Sequence, residues 1–131
     1  MSIIERKEPP ELTEDQKKWN KLWEMYASGE LAKTDYNTFA LCEYESSVNG
    51  EGHSGWFFNL ENAEGKEAIK KSLSALKKIL PTHLYDNLNK AFRSYGTEDE
   101  EKICESADGY FYEYEQEIIE YLQGVANRLD L

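Results

Sequence analysis

The sequence predicts an all-α fold, a single compact domain of five or six helices around a central glycine- and aromatic-rich loop. Apolar residues recur at steps of three and four through most of the chain. No stretch alternates apolar and polar residues as a half-buried strand would, and capping and stop signals cut the periodic stretches into helix-sized pieces. At 131 residues the chain is large enough for one domain with one core. Its 40% hydrophobic content is too high for a disordered chain, and its 31% charged content suits a chain surrounded by water.

Residues 1–12 carry Pro9-Pro10 and no periodicity, so an extended lead-in is expected there, with the domain occupying 13–131. Thr13-Glu14-Asp15-Gln16 has the form of a capping box, with Thr13 as N-cap and Gln16 reaching back. Trp19, Leu22, Trp23 and Tyr26 follow at helical spacing until Gly29 ends the pattern. A second helix is expected from Thr34 or Asp35, with Tyr36, Phe39, Ala40, Glu43 and Ser47 on one side and Leu41, Tyr44 and Val48 beside them. After a polar break at Asn62–Gly65, Ala68, Ile69, Leu73, Leu76 and Leu80 define a third helix whose opposite face carries Lys66, Lys70, Lys71, Lys77 and Lys78. Pro81 stops it. Thr82 is the expected cap of the next helix, whose stripe of Leu84, Leu88, Ala91, Phe92 and Tyr95 closes at Gly96. Thr97-Glu98-Asp99-Glu100 reads as a second capping box, and a last long helix is expected from about Asp108, with Phe111, Tyr114, Ile118, Leu122, Val125 and Leu129 as its stripe.

Between the second and third of these helices lies Val48–Asn59, where Gly50, Gly52 and Gly55 fall close to His53 and to Trp56-Phe57-Phe58. Glycine takes positive φ without steric cost, and each aromatic carries a large apolar surface. The stretch therefore reads as a tight loop that drives an aromatic plug into the core, with Asn59 tying it down.

The net charge of −11 is unevenly spread. Residues 1–65 hold 13 acids and 6 bases, residues 66–93 hold 2 acids and 7 bases, and residues 94–120 hold 10 acids and the single base Lys102. Such a surface repels nucleic-acid phosphates, so direct nucleic-acid binding is not expected, and a basic protein is the natural partner. No apolar run approaches the ~18 residues of a membrane span, and Met1–Glu8 has no apolar core of a signal peptide, so a cytoplasmic chain away from membranes is expected. Cys42 and Cys104 stand far apart with no CxxC, which suits buried thiols in a reducing compartment.

Three groups of side chains are candidates for function. His53 in its glycine stretch could serve as a base or ligand, but the only other histidine, His83, lies on a different helix. No paired metal-ligand spacing or nucleophile elbow occurs, so a structural His53 bonded within its loop is expected, with no metal, no cofactor and no enzymatic activity. The second group is acidic. Glu113, Glu117 and Glu120 share one helix face by their steps of four and three, and Glu98, Asp99, Glu100, Glu101 and Glu105 cluster upstream. They form either a solvated face or a surface of carboxylates for a basic partner. The third is the tyrosine array Tyr110, Tyr112, Tyr114 and Tyr121, which cannot all face one side of a helix, so that some rings must lie at the surface or an interface.

The run from Glu43 through Val48-Asn49-Gly50 to Gly52-His53-Ser54-Gly55-Trp56-Phe57-Phe58-Asn59 resembles the signature of the DNA-mimic protein family, a set of small acidic all-α bacterial proteins. The resemblance extends over roughly residues 36–127, onto Asp108-Gly109-Tyr110-Phe111-Tyr112 and the acidic final helix. Asn49-Gly50-Glu51-Gly52 is one residue longer than the family's usual turn, and Gly55 replaces a common glutamine. The resemblance implies a compact all-α domain, often a homodimer, with no known enzymatic activity. It also implies a partner of the kind one relative uses, a helix-turn-helix DNA-binding protein that meets acidic side chains in place of DNA phosphates. The expected function is an acidic, non-enzymatic interaction protein. A ligand-binding or enzymatic domain centred on His53, and an immunity-type or scaffolding protein, are the alternatives.

Overall fold

The computed structural model describes residues 11–130 and contains six helices. They are α1 (Glu14–Ser28), α2 (Glu30–Thr34), α3 (Tyr36–Glu64), α4 (Lys66–Ile79), α5 (Thr82–Ser94) and α6 (Glu100–Ala126). Among the described residues there is no strand. Of the expected lead-in, only the exposed, non-helical Glu11 and Leu12 lie within the described residues.

Local signals set most boundaries. Thr13 and Gln16 close the capping box of α1, the Thr13 hydroxyl accepting from the Gln16 N–H at 3.1 Å and the Gln16 amide oxygen accepting from the Thr13 N–H at 2.8 Å. Gly29 ends α1 at φ +83°, a conformation other residues avoid. The short α2 was not foreseen, and it buries Leu31. Asp35 then caps α3 by accepting the Thr38 N–H at 3.2 Å.

The central stretch is not a loop. It belongs to α3, which runs from Tyr36 to Glu64 and departs from helical geometry only at Gly52. Its buried residues explain why: His53, Trp56, Phe57 and Leu60 follow at steps of three, one and three, the pattern of one helix face. Phe58 falls outside that face and is 58% exposed, so the buried plug is Trp56 and Phe57.

The start of α6 also differs from expectation, at Glu100 rather than near Asp108. The buried Cys104 and Ala107 extend the stripe that leads to Phe111, and the whole run is one helix. Two expected caps are displaced. Pro81, with no side-chain bond, precedes α5 in place of a Thr82 cap. The Thr97 hydroxyl accepts the Asp99 N–H at 3.3 Å while Glu100 reaches back to the N–H of Gly96 at 2.7 Å.

Helix α3 is the centre of the packing, lying against α4 on one side and α6 on the other, with α5 on α6 and α1 across α6 and α2. Around its kink the aromatics pack edge to face: Tyr44 meets Trp56 at 5.2 Å and Phe111 at 5.5 Å between ring centroids, and Phe57 meets Phe92 at 5.6 Å. Each such pair contributes about 0.5–1.5 kcal/mol beyond the burial of area. Cys42 and Cys104 are both free and buried, and burial pushes the Cys42 thiol up to about 12.

Candidate partner interface and the buried His53 centre

Gly52 is where α3 bends, at φ +74° and ψ 173°, a combination open only to glycine. Space imposes the same choice. A Cβ at Gly52 would lie 2.6 Å from the Asp108 carboxylate of α6. The bend exposes the N-terminal amide of the second half of α3, and Asp108 satisfies it by accepting the His53 N–H at 2.8 Å. A carboxylate at a helix N-terminus meets the positive end of the helix dipole. Asp108, 55 positions away in sequence, thus caps the second half of α3 from outside.

The same carboxylate faces the imidazole of His53, with 2.7 Å between Asp108 Oδ1 and Nδ1, while the Tyr44 hydroxyl lies 2.6 Å from Nε2. In the neutral ring the carboxylate requires the proton on Nδ1, so Nε2 accepts from Tyr44. Burial first, and then the charge of Asp108, raise the Tyr44 hydroxyl, which keeps its proton and donates it into this bond. Contrary to expectation, the bonds of His53 do not stay within its own stretch. Its ring is fully buried with both nitrogens engaged, and the neighbouring Ser54 hydroxyl donates to Glu100. Among the described residues no three His, Cys, Asp or Glu side chains converge as a metal ion would require.

The acidic residues occupy several positions. At about 100° per residue, Glu113, Glu117 and Glu120 fall within about 60° of one another on the side of α6 opposite Phe111 and Ile118. All three are exposed. Glu101 and Glu105 are exposed too, about 100° around the helix from that row. Glu98 and Asp99 are exposed in the turn before α6. Glu100 is different: its carboxylate turns inward between Ser54 and the Gly96 N–H. Glu117 is held at 3.0 Å by His83, whose other nitrogen lies 2.8 Å from the Tyr110 hydroxyl. Lys102, the one base of this acidic segment, lines a groove between α5 and α6 together with Lys90 and Arg93.

A further acidic pair was not anticipated. Glu45 of α3 and Glu115 of α6 face each other across the helix seam, both half-buried. Burial and then Glu115 push the Glu45 carboxyl up to about 8, so at neutral pH Glu45 holds its proton much of the time. Asn49 donates to Glu115 at 2.6 Å, and the Tyr112 hydroxyl donates to the Asn49 carbonyl at 2.8 Å. Of the tyrosine array, Tyr112 and Tyr121 are exposed, whereas Tyr110 and Tyr114 pack with His83.

No helix among the described residues is long and apolar enough to cross a membrane. Comparison with curated proteins returned no match, and comparison with solved structures returned none either. The family model described as DMP19-like protein matches residues 29–131, from the end of α1 through α6, and the chain belongs to that family.

Proposed function

We propose that this protein is a non-enzymatic acidic interaction protein that presents the outer face of α6 to a basic partner, in the manner of a DNA mimic facing a helix-turn-helix DNA-binding protein. The observation that carries the reading is the row Glu113, Glu117, Glu120: three exposed carboxylates on the side of a long helix that the core does not use. Their axial steps are about 6 and 4.5 Å, somewhat sparser than the ~3.4 Å per phosphate along one DNA strand. Glu101 and Glu105 continue the acidic surface toward the start of α6, about 12–18 Å along the axis from Glu113 and about 100° around the helix. Membership of the DMP19-like family agrees with this use. Full burial of His53, with both ring nitrogens bonded, supports a structural role for that residue rather than a catalytic one.

A field of this kind accelerates encounter with a cationic surface and is screened beyond about 8 Å at physiological salt. Complexes captured from lysate at low salt should therefore dissociate as salt rises. Replacing Glu113, Glu117 and Glu120 together by lysine should abolish binding while helicity and melting temperature stay close to wild type, because Glu113 and Glu120 lie in solvent and the contact of Glu117 with His83 is itself partly exposed. Duplex DNA should compete for the same partner. A partner retained through both high salt and the triple replacement would refute the reading, and one that DNA does not displace would remove the mimicry from it.

A further inference from the structure

Phe58 is the most exposed large apolar side chain among the described residues, although it directly follows two buried aromatics. Steps of four and three place Ser54, Phe58 and Glu61 on one outward stripe of α3. That stripe forms one wall of a recess of about 530 Å³, and the turn joining α5 to α6, with Tyr95, Gly96 and the start of α6 at Glu100, forms the other. Two carboxylates line it. Glu61 accepts from the Tyr95 hydroxyl at 2.5 Å, and Glu100 accepts from the Ser54 hydroxyl and from the Gly96 N–H. These donors are all neutral. They hold the carboxylates in place. Lys66 also lines the recess, so two negative charges face one positive one. Neither glutamate forms an ion pair with it or with any other base among the described residues. Burial first, and then Glu61 and Glu100, raise the Tyr95 hydroxyl to about 12.

We infer that this recess receives an arginine side chain of the basic partner, stacked on the ring of Phe58 and paired with Glu61 and Glu100. The inference rests on the proposed function for its occupant but adds a site outside the α6 face. A guanidinium is planar, weakly hydrated and built to bridge carboxylates, and its face packs on aromatic rings. An exposed phenyl ring beside two immobilised carboxylates offers both contacts at once. Lysine could use the charges, but it carries no flat face to lay on the ring.

The test is a titration of isotope-labelled protein with the capped tripeptide acetyl-Ala-Arg-Ala-amide, followed by amide chemical shifts. Peptides with lysine or the neutral isostere citrulline in place of arginine serve as comparisons. Saturable shifts are expected at Ser54, Phe58 and Gly96 with the arginine peptide and not with citrulline. Phe58→Ala should weaken them about two- to fivefold, the factor that an exposed cation–π contact corresponds to. Glu61→Gln, which still accepts from Tyr95, should weaken them as well. Equal saturation by the lysine peptide, or unchanged binding in Phe58→Ala, would overturn the inference. Shifts at residues 113–120 in the same titration report the α6 face separately. If they persist while those around Phe58 are absent, the recess has failed and the proposed function stands; the reverse pattern condemns the α6 face instead.

Discussion

His53 and His83 are assembled from the same three groups, an imidazole between a tyrosine hydroxyl and a carboxylate. His53 lies 2.6 Å from Tyr44 and 2.7 Å from Asp108, and His83 lies 2.8 Å from Tyr110 and 3.0 Å from Glu117. Their surroundings differ. The side chain of His53 has no exposed surface, whereas that of His83 is 36% exposed and its glutamate 44%. In the first case the imidazole and the Tyr44 hydroxyl are sealed from water, so losing one strands the other. Asp108, with 28% of its side chain exposed, keeps access to solvent. In the second, water takes the place of any partner that leaves. The comparison shows that the chemistry of a constellation does not set its importance; its access to solvent does.

Truncation of each histidine is the most direct way to break the comparison. His53→Ala removes a packed ring and leaves the buried Tyr44 hydroxyl without its partner, while Asp108 keeps its capping bond to the backbone N–H of residue 53. It should cost about 3–5 kcal/mol. His83→Ala should cost less than about 1 kcal/mol. Denaturant midpoints of the two variants measure the difference, and equal losses would mean that burial does not separate the two sites.

The next effect sharpens the same contrast in the backbone. Gly52→Ala forces a side chain into a glycine-only conformation and against Asp108, and should destabilise by roughly 2–4 kcal/mol. Gly50, two residues earlier, is exposed with open space where a Cβ would go. Gly50→Ala should instead stabilise by about 0.5–1 kcal/mol through helix propensity. A thermal melt of each variant suffices, and a neutral Gly52→Ala would show that the capping geometry at Asp108 is dispensable.

The smallest effect concerns carboxyls at the α3–α6 seam against carboxyls in solvent. Glu45 is raised from 4.5 to about 8 in the folded protein. A raised carboxyl favours folding while it is protonated, and that contribution is lost as pH climbs through this window. Glu45→Gln, which cannot ionise, should therefore melt close to wild type at about pH 4 and above it at about pH 9. Glu113→Gln, on the exposed face, should track wild type at both. Parallel pH profiles for wild type and Glu45→Gln would mean that the pair with Glu115 carries no folding energy.

Helix content, the cap at Thr13, a helix start near Asp35, the stops at Gly29, Pro81 and Gly96, and the apolar stripes of α4 and α5 were all legible in the sequence, because they depend on residues three or four positions apart. The charge division was equally legible, being a sum over side chains. Even the central stretch carried its answer in the spacing of His53, Trp56, Phe57 and Leu60. Its three glycines suggested a loop, but only Gly52 takes positive φ there, and a glycine with ordinary φ does not break a helix that its neighbours bury. What tertiary structure alone decided is everything that depends on contacts between distant positions. No local pattern announces that Asp108 caps a helix half 55 residues earlier, that Glu100 leaves the acidic face to hold Ser54, or that Glu45 meets Glu115. A carboxylate reads the same in sequence whether it points to water or to a buried amide. Only the packing of α3 against α6 separates the two, by removing solvent from one set of side chains and leaving it on the other.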